Sequence, residues 1–282
     1  MTETMWRLTI AVIRLVRVTG HLVRGLLTVV IIFPGATDEI RSGHMRRWSR
    51  SLLDILGIER SLTGVMPTET EKSTLLVANH VSWLDVVAQM SVGATAFVAK
   101  SEVRQWPVIG WMAQQTGTTF IERSRRHDIA RVNDALTQTL AAGACAAIFP
   151  EGTTTDGTRL LQFHSGLFEA ARDAHARVWP VAIRYRHADG TISHAADFLG
   201  DASLLSSLWR IALAPSVRIC MAFAAPLSAH DRLRRDMAAL SRGRIAALLR
   251  IEQAPLESHP MRESAVRRRH GGAGLSAQQH IA

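Results

Sequence analysis

The sequence predicts an α/β fold, a mostly parallel central sheet covered by helices, with an N-terminal amphipathic membrane-binding helical hairpin in front of it. Three observations predict it. Short apolar runs of strand length recur at 74–78, 94–99, 118–121, 145–149, 178–185 and 217–223. Helix-like segments fall between or beside them at 83–90, 107–115, 128–142 and 167–176, and such alternation implies crossover connections and parallel pairing. Ahead of both lies a long stretch in which arginines and apolar residues follow a helical period.

That first stretch contains Arg7, Arg14, Arg17, His21 and Arg24, which a helix gathers within an arc of about 100°. Leu8, Val12, Leu15, Val18, Leu22 and Leu26 fill the other side, and the apolar run continues to Phe33 before Pro34-Gly35 breaks it. A basic helix with so large an apolar face is expected in a membrane interface, with its guanidinium groups among anionic headgroups. A second helix is expected over 38–56, with Met45, Trp48, Leu52, Leu53 and Leu56 apolar and Arg41, Arg46, Arg47 and Arg50 basic, completing a hairpin within residues 1–60. The charge-free part, from Gly25 to Thr37, falls short of the roughly 20 residues of a membrane span unless Arg17 and Arg24 snorkel or face protein. A monotopic arrangement and one N-terminal span both stay open. A secretory signal is disfavoured, because arginines interrupt the apolar region and no small-residue cleavage pattern follows.

At 282 residues, 47% hydrophobic and 20% charged, the chain suits one α/β domain with apolar additions, not two domains of equal size. Its net charge of +9 rests almost wholly on arginine, Lys72 and Lys100 being the only lysines. Such a balance points to an anionic partner, lipid headgroups or nucleic acid. Aromatic platforms and groove-binding motifs are missing from the sequence, which favours an anionic membrane surface over nucleic acid. Cys145 and Cys220 lie in strand-like runs without metal-ligand partners and read as free thiols in a reducing compartment. A helix rich in Ala, Leu and Arg is expected over 231–251, and the basic tail 253–282, with Arg267-Arg268-Arg269, reads as disordered.

Chemistry concentrates in Asn79-His80-Val81-Ser82-Trp83-Leu84-Asp85. The segment follows a buried strand, and Ser82 with Asp85 three residues on has the form of a helix start with Ser82 as N-cap. His80 is then in the strand-to-helix turn and Asp85 in the first helical turn, from which its carboxylate can cap the backbone of Ser82 or reach back to the imidazole. A histidine oriented by a carboxylate is a general base, because imidazole titrates near neutrality and the carboxylate fixes its tautomer and stabilises the cation that forms.

Three further segments follow: Gly117-Thr118-Thr119-Phe120-Ile121-Glu122-Arg123, Phe149-Pro150-Glu151-Gly152-Thr153 and Val178-Trp179-Pro180-Val181-Ala182-Ile183. Phe149 to Thr153 fall at the end of a strand, where an open α/β sheet binds ligands. Gly152 permits close backbone approach there, Thr153, Thr154 and Thr155 offer hydroxyls, and Arg123 offers a guanidinium that can grip a phosphate through two bonds.

With the histidine block, these segments occur in an order that resembles the lysophosphatidate acyltransferase (1-acylglycerol-3-phosphate O-acyltransferase) family. The resemblance implies an acyltransferase α/β domain over 61–252, catalytic His80 and Asp85, and substrate-binding Gly117, Phe120, Arg123, Glu151, Gly152, Thr153 and Pro180. It implies transfer of an acyl chain from acyl-CoA or acyl carrier protein, as co-substrate, to the free hydroxyl of 1-acyl-sn-glycerol-3-phosphate, giving phosphatidic acid, at the cytoplasmic face of the inner membrane. No metal or redox cofactor is called for. One departure bears on the acceptor: where the family commonly has arginine after Glu-Gly-Thr, this chain has Thr154. Relatives that acylate lyso-ornithine lipid resemble this version, so a zwitterionic aminolipid acceptor is the alternative. A thioesterase using water, and a basic membrane- or nucleic-acid-binding module without chemistry, are the readings from other classes.

Overall fold

Burial on both faces marks the central strands. The computed structural model describes residues 3–68, 71–121, 126–230 and 232–251, without the side chains of Arg126 and His127. In chain order its elements are α1 (Glu3–Ile31), α2 (Asp38–Ile55), β1 (Ile58–Gly64), β2 (Thr74–Ala78), α3 (Leu84–Ser91), β3 (Ala96–Lys100), α4 (Ile109–Gln115), β4 (Thr119–Ile121), α5 (Arg126–Ala141), β5 (Cys145–Ile148), α6 (Phe168–Asp173), β6 (Arg177–Arg186), α7 (Leu204–Leu213), β7 (Val217–Phe223), β8 (Leu227–Ser228) and α8 (Arg234–Leu249). All five residues of β2 are buried. Leu76 and Ala78 join one apolar cluster and Leu75 and Val77 the other, the period of two expected when helices cover both faces of a sheet.

The sheet runs β1-β7-β6-β2-β5-β3-β4, with β8 beside β6. Pairing is parallel from β6 across to β4 and reverses between β6 and β7. The C-terminal ends of β2, β3, β4, β5 and β6 therefore share one edge, the edge at which open α/β sheets present their functional loops.

The hairpin is part of this core. Val18 of α1 and Leu52 and Leu53 of α2 pack in the same cluster as Leu76, Trp179 and Ile219. A Cβ at Gly25 of α1 would lie 2.5 Å from Trp48 Nε1 and 2.9 Å from Met112 Cε, so only glycine lets α1 approach α2 and α4 this closely. The expected basic stripe is divided by this packing. Arg14 donates to the carbonyls of Ala212 and Ala214 at 2.9 and 2.8 Å, and buried His21 bonds the Trp48 carbonyl at 2.9 Å and stacks on its indole. Both residues face protein instead of headgroups: Arg14 satisfies carbonyls at the C-terminal end of α7, which lack helical partners, and His21 adds a second bond to a carbonyl inside α2. The exposed apolar face is Leu8, Val12, Val16, Val23, Leu27, Val30 and Ile31.

Three elements go beyond the sequence reading. Strand β1 crosses residue 60 and pairs in parallel with β7; only its first residue is buried, so it shows no apolar run. Strand β8 has two residues. Helix α7 carries a readable start, since Ser203 Oγ accepts from Ser206 N. The tail 253–282 lies outside the described residues.

Candidate active site

Strand β2 ends at Ala78, and the next side chain extends its pairing. Asn79 Nδ2 donates to the Ile183 carbonyl at 2.9 Å and Oδ1 accepts from Ile183 N at 2.7 Å. An amide that mimics a strand residue holds β6 while the backbone of 80–82 turns toward α3. His80 stands in that turn with 20% of its side chain exposed, while Asp85 is fully buried in the first turn of α3. Asp85 Oδ2 is 2.9 Å from His80 Nδ1 and also accepts from Val81 N at 2.7 Å and Ser82 N at 2.9 Å.

The two uses foreseen for Asp85, capping and reaching the imidazole, are thus made at once by a single oxygen. Ser82 is not the N-cap; the cap residue is Trp83, and Ser82 Oγ accepts a 3.4 Å bond from Leu84 N while its side chain also bonds the Tyr185 hydroxyl. A carboxylate already accepting two N–H groups pairs with an N–H, so His80 Nδ1 carries the proton and Nε2 keeps the lone pair. The ring lies on Phe149, centroids 4.0 Å apart and planes within 18°.

Glu151, expected to touch the acceptor, is turned inward and 3% exposed. Oε1 accepts from His80 N and Oε2 from Leu161 N, each at 2.9 Å. Both oxygens clamp backbone, so Glu151 holds the His80 turn against the loop after β5. Burial raises its carboxyl above the usual range, the Leu161 and His80 N–H groups oppose that rise, and the Asp85 charge adds to it. Gly152, next to it, adopts φ +78°, a conformation other residues rarely take. The same loop returns to the turn through Thr155 N, which donates to the His80 carbonyl at 2.8 Å. Of the three hydroxyls, Thr153 is exposed and Thr155 buried, while Thr154 Oγ1 donates to the Phe198 carbonyl.

Gly117 is in the turn after α4 with φ +87°. Phe120 lies on edge strand β4 and lines a cavity of about 370 Å³ with Arg104, Gln114, Thr118 and Arg131. Arg123 falls outside the described residues, two positions beyond the β4 end that shares the His80 edge. Pro180 sits inside β6, buried, opposite Val77. It occupies the gap between the β8 ladder, which ends at Val178, and the β7 ladder, which begins at Val181. Its carbonyl accepts from Ala224 N at 2.9 Å. A proline is tolerated there because no ladder N–H is required on that side, and its place is in the sheet rather than at an opening.

The unforeseen member of the site is Tyr185, in β6 and 2% exposed, whose hydroxyl donates to Asp85 Oδ1 at 2.6 Å. Its sequence signal is that it is the only tyrosine in 282 residues.

A buried carboxylate aligning a partly exposed imidazole at the C-terminal edge of a parallel sheet is the apparatus of an acid–base transferase. The Acyltransferase family pattern matches residues 59–184. A 1-acyl-sn-glycerol-3-phosphate acyltransferase from Neisseria meningitidis serogroup B is 38% identical over 193 residues, 68% of this chain and 72% of that protein. A lyso-ornithine lipid O-acyltransferase from Pseudomonas aeruginosa is 41% identical over 179 residues, 63% of this chain and 67% of that protein. In fold, the crystal structure of the 1-acyl-sn-glycerophosphate acyltransferase PlsC from Thermotoga maritima covers 90% of this chain and all of its own, with a TM-score of 0.61 at 16% identity. The chain belongs to the 1-acylglycerol-3-phosphate acyltransferase family. It is an acyltransferase enzyme of lipid biosynthesis, which removes the reading as a binding module, and its apolar N-terminal helix associates it with the membrane.

Proposed function

We propose that the enzyme moves an acyl chain directly from a thioester of coenzyme A or acyl carrier protein to the free hydroxyl of 1-acyl-sn-glycerol-3-phosphate, giving phosphatidic acid. The observation that carries the mechanism is the 2.9 Å contact from Asp85 Oδ2 to His80 Nδ1. With Nδ1 held as donor, Nε2 takes the proton of the lysolipid hydroxyl as its oxygen attacks the thioester carbonyl. The carbon–sulfur bond then breaks and the thiolate leaves, taking up a proton. Asp85 stabilises the imidazolium formed in between. No metal or redox cofactor enters.

Direct transfer is supported by the state of Cys145 and Ser82, the side chains a covalent route would use. Cys145 lies at the start of β5, the edge opposite His80, and burial pushes its thiol up to about 12. Ser82 is fully buried. Neither presents a ready nucleophile.

Glu151 acts here by holding the turn, while Phe120 and Thr153 at the common edge receive the acceptor, with Gly117 and Gly152 shaping the turns beside it; Arg123 keeps its expected role as a phosphate ligand. A second acceptor, lyso-ornithine lipid, is favoured by Thr154, which stands where the family commonly has arginine and whose hydroxyl is engaged with Phe198. We place the enzyme at the cytoplasmic face of the inner membrane, against its anionic surface and away from nucleic acid. A monotopic mode fits best, because Ala11, Val18, His21, Gly25 and Val29 hold one face of α1 against protein, although the helix is long and apolar enough to span. Thiol release by the purified protein, with lysophosphatidate and lyso-ornithine lipid offered separately, tests the acceptor. Release with lysophosphatidate supports the main reading, release with lyso-ornithine lipid alone replaces it, and equal release without either makes the enzyme a thioesterase.

A further inference from the structure

We propose that Tyr185 is a positioning residue of acyl transfer: its phenol, donating to Asp85 Oδ1, holds the carboxylate that aligns His80 and sets how firmly the imidazole keeps its proton. This rests on the reading of His80 as the base. The two oxygens of Asp85 are unequally loaded. Oδ2 accepts from His80 Nδ1, Val81 N and Ser82 N, all within 2.7 to 2.9 Å. Oδ1 accepts from Tyr185 at 2.6 Å, and Asp85 is fully buried, so without the phenol one oxygen of a buried anion is left bare.

Tyr185 reaches Asp85 from β6, the strand beside β2, on the sheet face that α3 covers. Its ring belongs to the core cluster with Leu84 and Ile183, which fixes where the hydroxyl points. The other ionisable groups around the pair are His80 in the turn, Glu151 in the loop after β5, and Asp197, itself bonded to His194, in the segment after β6. Burial, then the Asp85 charge, holds the phenol proton in place well above the usual tyrosine range, so Tyr185 is a donor throughout the working pH of the enzyme.

The consequence has a sign. A phenol bond draws charge from the carboxylate; once it is removed, Asp85 attracts the imidazolium more strongly and His80 keeps its proton to higher pH. Tyr185→Phe retains the ring and deletes only the donor. In the folded variant, the acid limb of kcat/KM against pH is expected to move upward by about half a unit or more, with the KM for lysolipid and for thioester unchanged. A profile that superimposes on the wild type, whatever the change in melting temperature, overturns the proposal. A second measurement needs no variant of Tyr185. Because the chain has one tyrosine, labelling with 13Cζ-tyrosine gives one resonance, which should titrate with the acid limb and lose that inflection in His80→Ala; a flat wild-type resonance overturns the proposal. Full turnover by His80→Ala overturns the base assignment and this inference with it, whereas an inactive His80→Ala beside an unshifted Tyr185→Phe profile overturns this inference alone.

Discussion

Asp85 Oδ2 receives the imidazole N–H of His80 and the backbone N–H groups of Val81 and Ser82 together, so one carboxylate oxygen both shapes the turn and selects the tautomer. Replacing it by the isosteric amide removes both functions. Asp85→Asn is expected to lower kcat by about 10²- to 10⁴-fold, because a donor amide facing Nδ1–H favours the wrong tautomer. Steady-state thiol release measures it, and loss confined to KM would count against the assignment.

Glu151 clamps two backbone N–H groups from separate segments. Glu151→Gln can accept through only one oxygen and sets an NH2 against the other N–H, so the fold should lose about 1 to 3 kcal/mol. Its raised carboxyl also gives the wild type a pH signature. The folded state keeps that proton at a pH where the unfolded chain has lost it, so this contribution is full below the unfolded carboxylate value and disappears as pH rises through the folded one. Thermal melts of both proteins from acid to neutral pH should show the wild-type advantage shrinking as pH rises; an advantage that grows instead contradicts a carboxyl raised by burial and means that the two N–H bonds outweigh it.

Asn79 pairs with both polar atoms of the Ile183 backbone. Asn79→Ala strands a buried N–H and a buried carbonyl at the end of β2, a destabilisation of about 2 to 4 kcal/mol. A melt unchanged from the wild type would mean that water replaces the amide without penalty.

Gly25→Leu drives a side chain into Trp48 and Met112. It should destabilise the protein by about 1 to 3 kcal/mol in detergent, where α1 is otherwise satisfied by micelle and protein together. Wild-type stability would show that α1 and α2 are not held together in solution.

Much of the sheet was legible because its strands carry apolar residues, on both faces in β2 and at every second position in β7: both begin and end where the sequence places them. Strand β1 was not, since Glu59, Arg60 and Ser61 on a sheet edge leave no such run. His80 and Asp85 were legible as neighbours along the chain. Tyr185 joins them through strand order, and residues 100 apart meet only once β6 is known to lie beside β2. Glu151 was legible as a site residue but not as a clamp, because a motif shows which side chain is present and not which backbone it faces. The basic stripe of α1 misled for a related reason: Arg14 and His21 have the helical phase of headgroup contacts, yet carbonyls of α7 and α2 take them.

Thiol release by purified His80→Ala, with a saturating lysolipid acceptor and the fold and liposome binding checked on the same sample, tests the central claim most directly. The imidazole-as-base account predicts a fall in turnover of about 10²- to 10⁴-fold with liposome binding retained. Wild-type turnover in that folded, membrane-bound variant would contradict it.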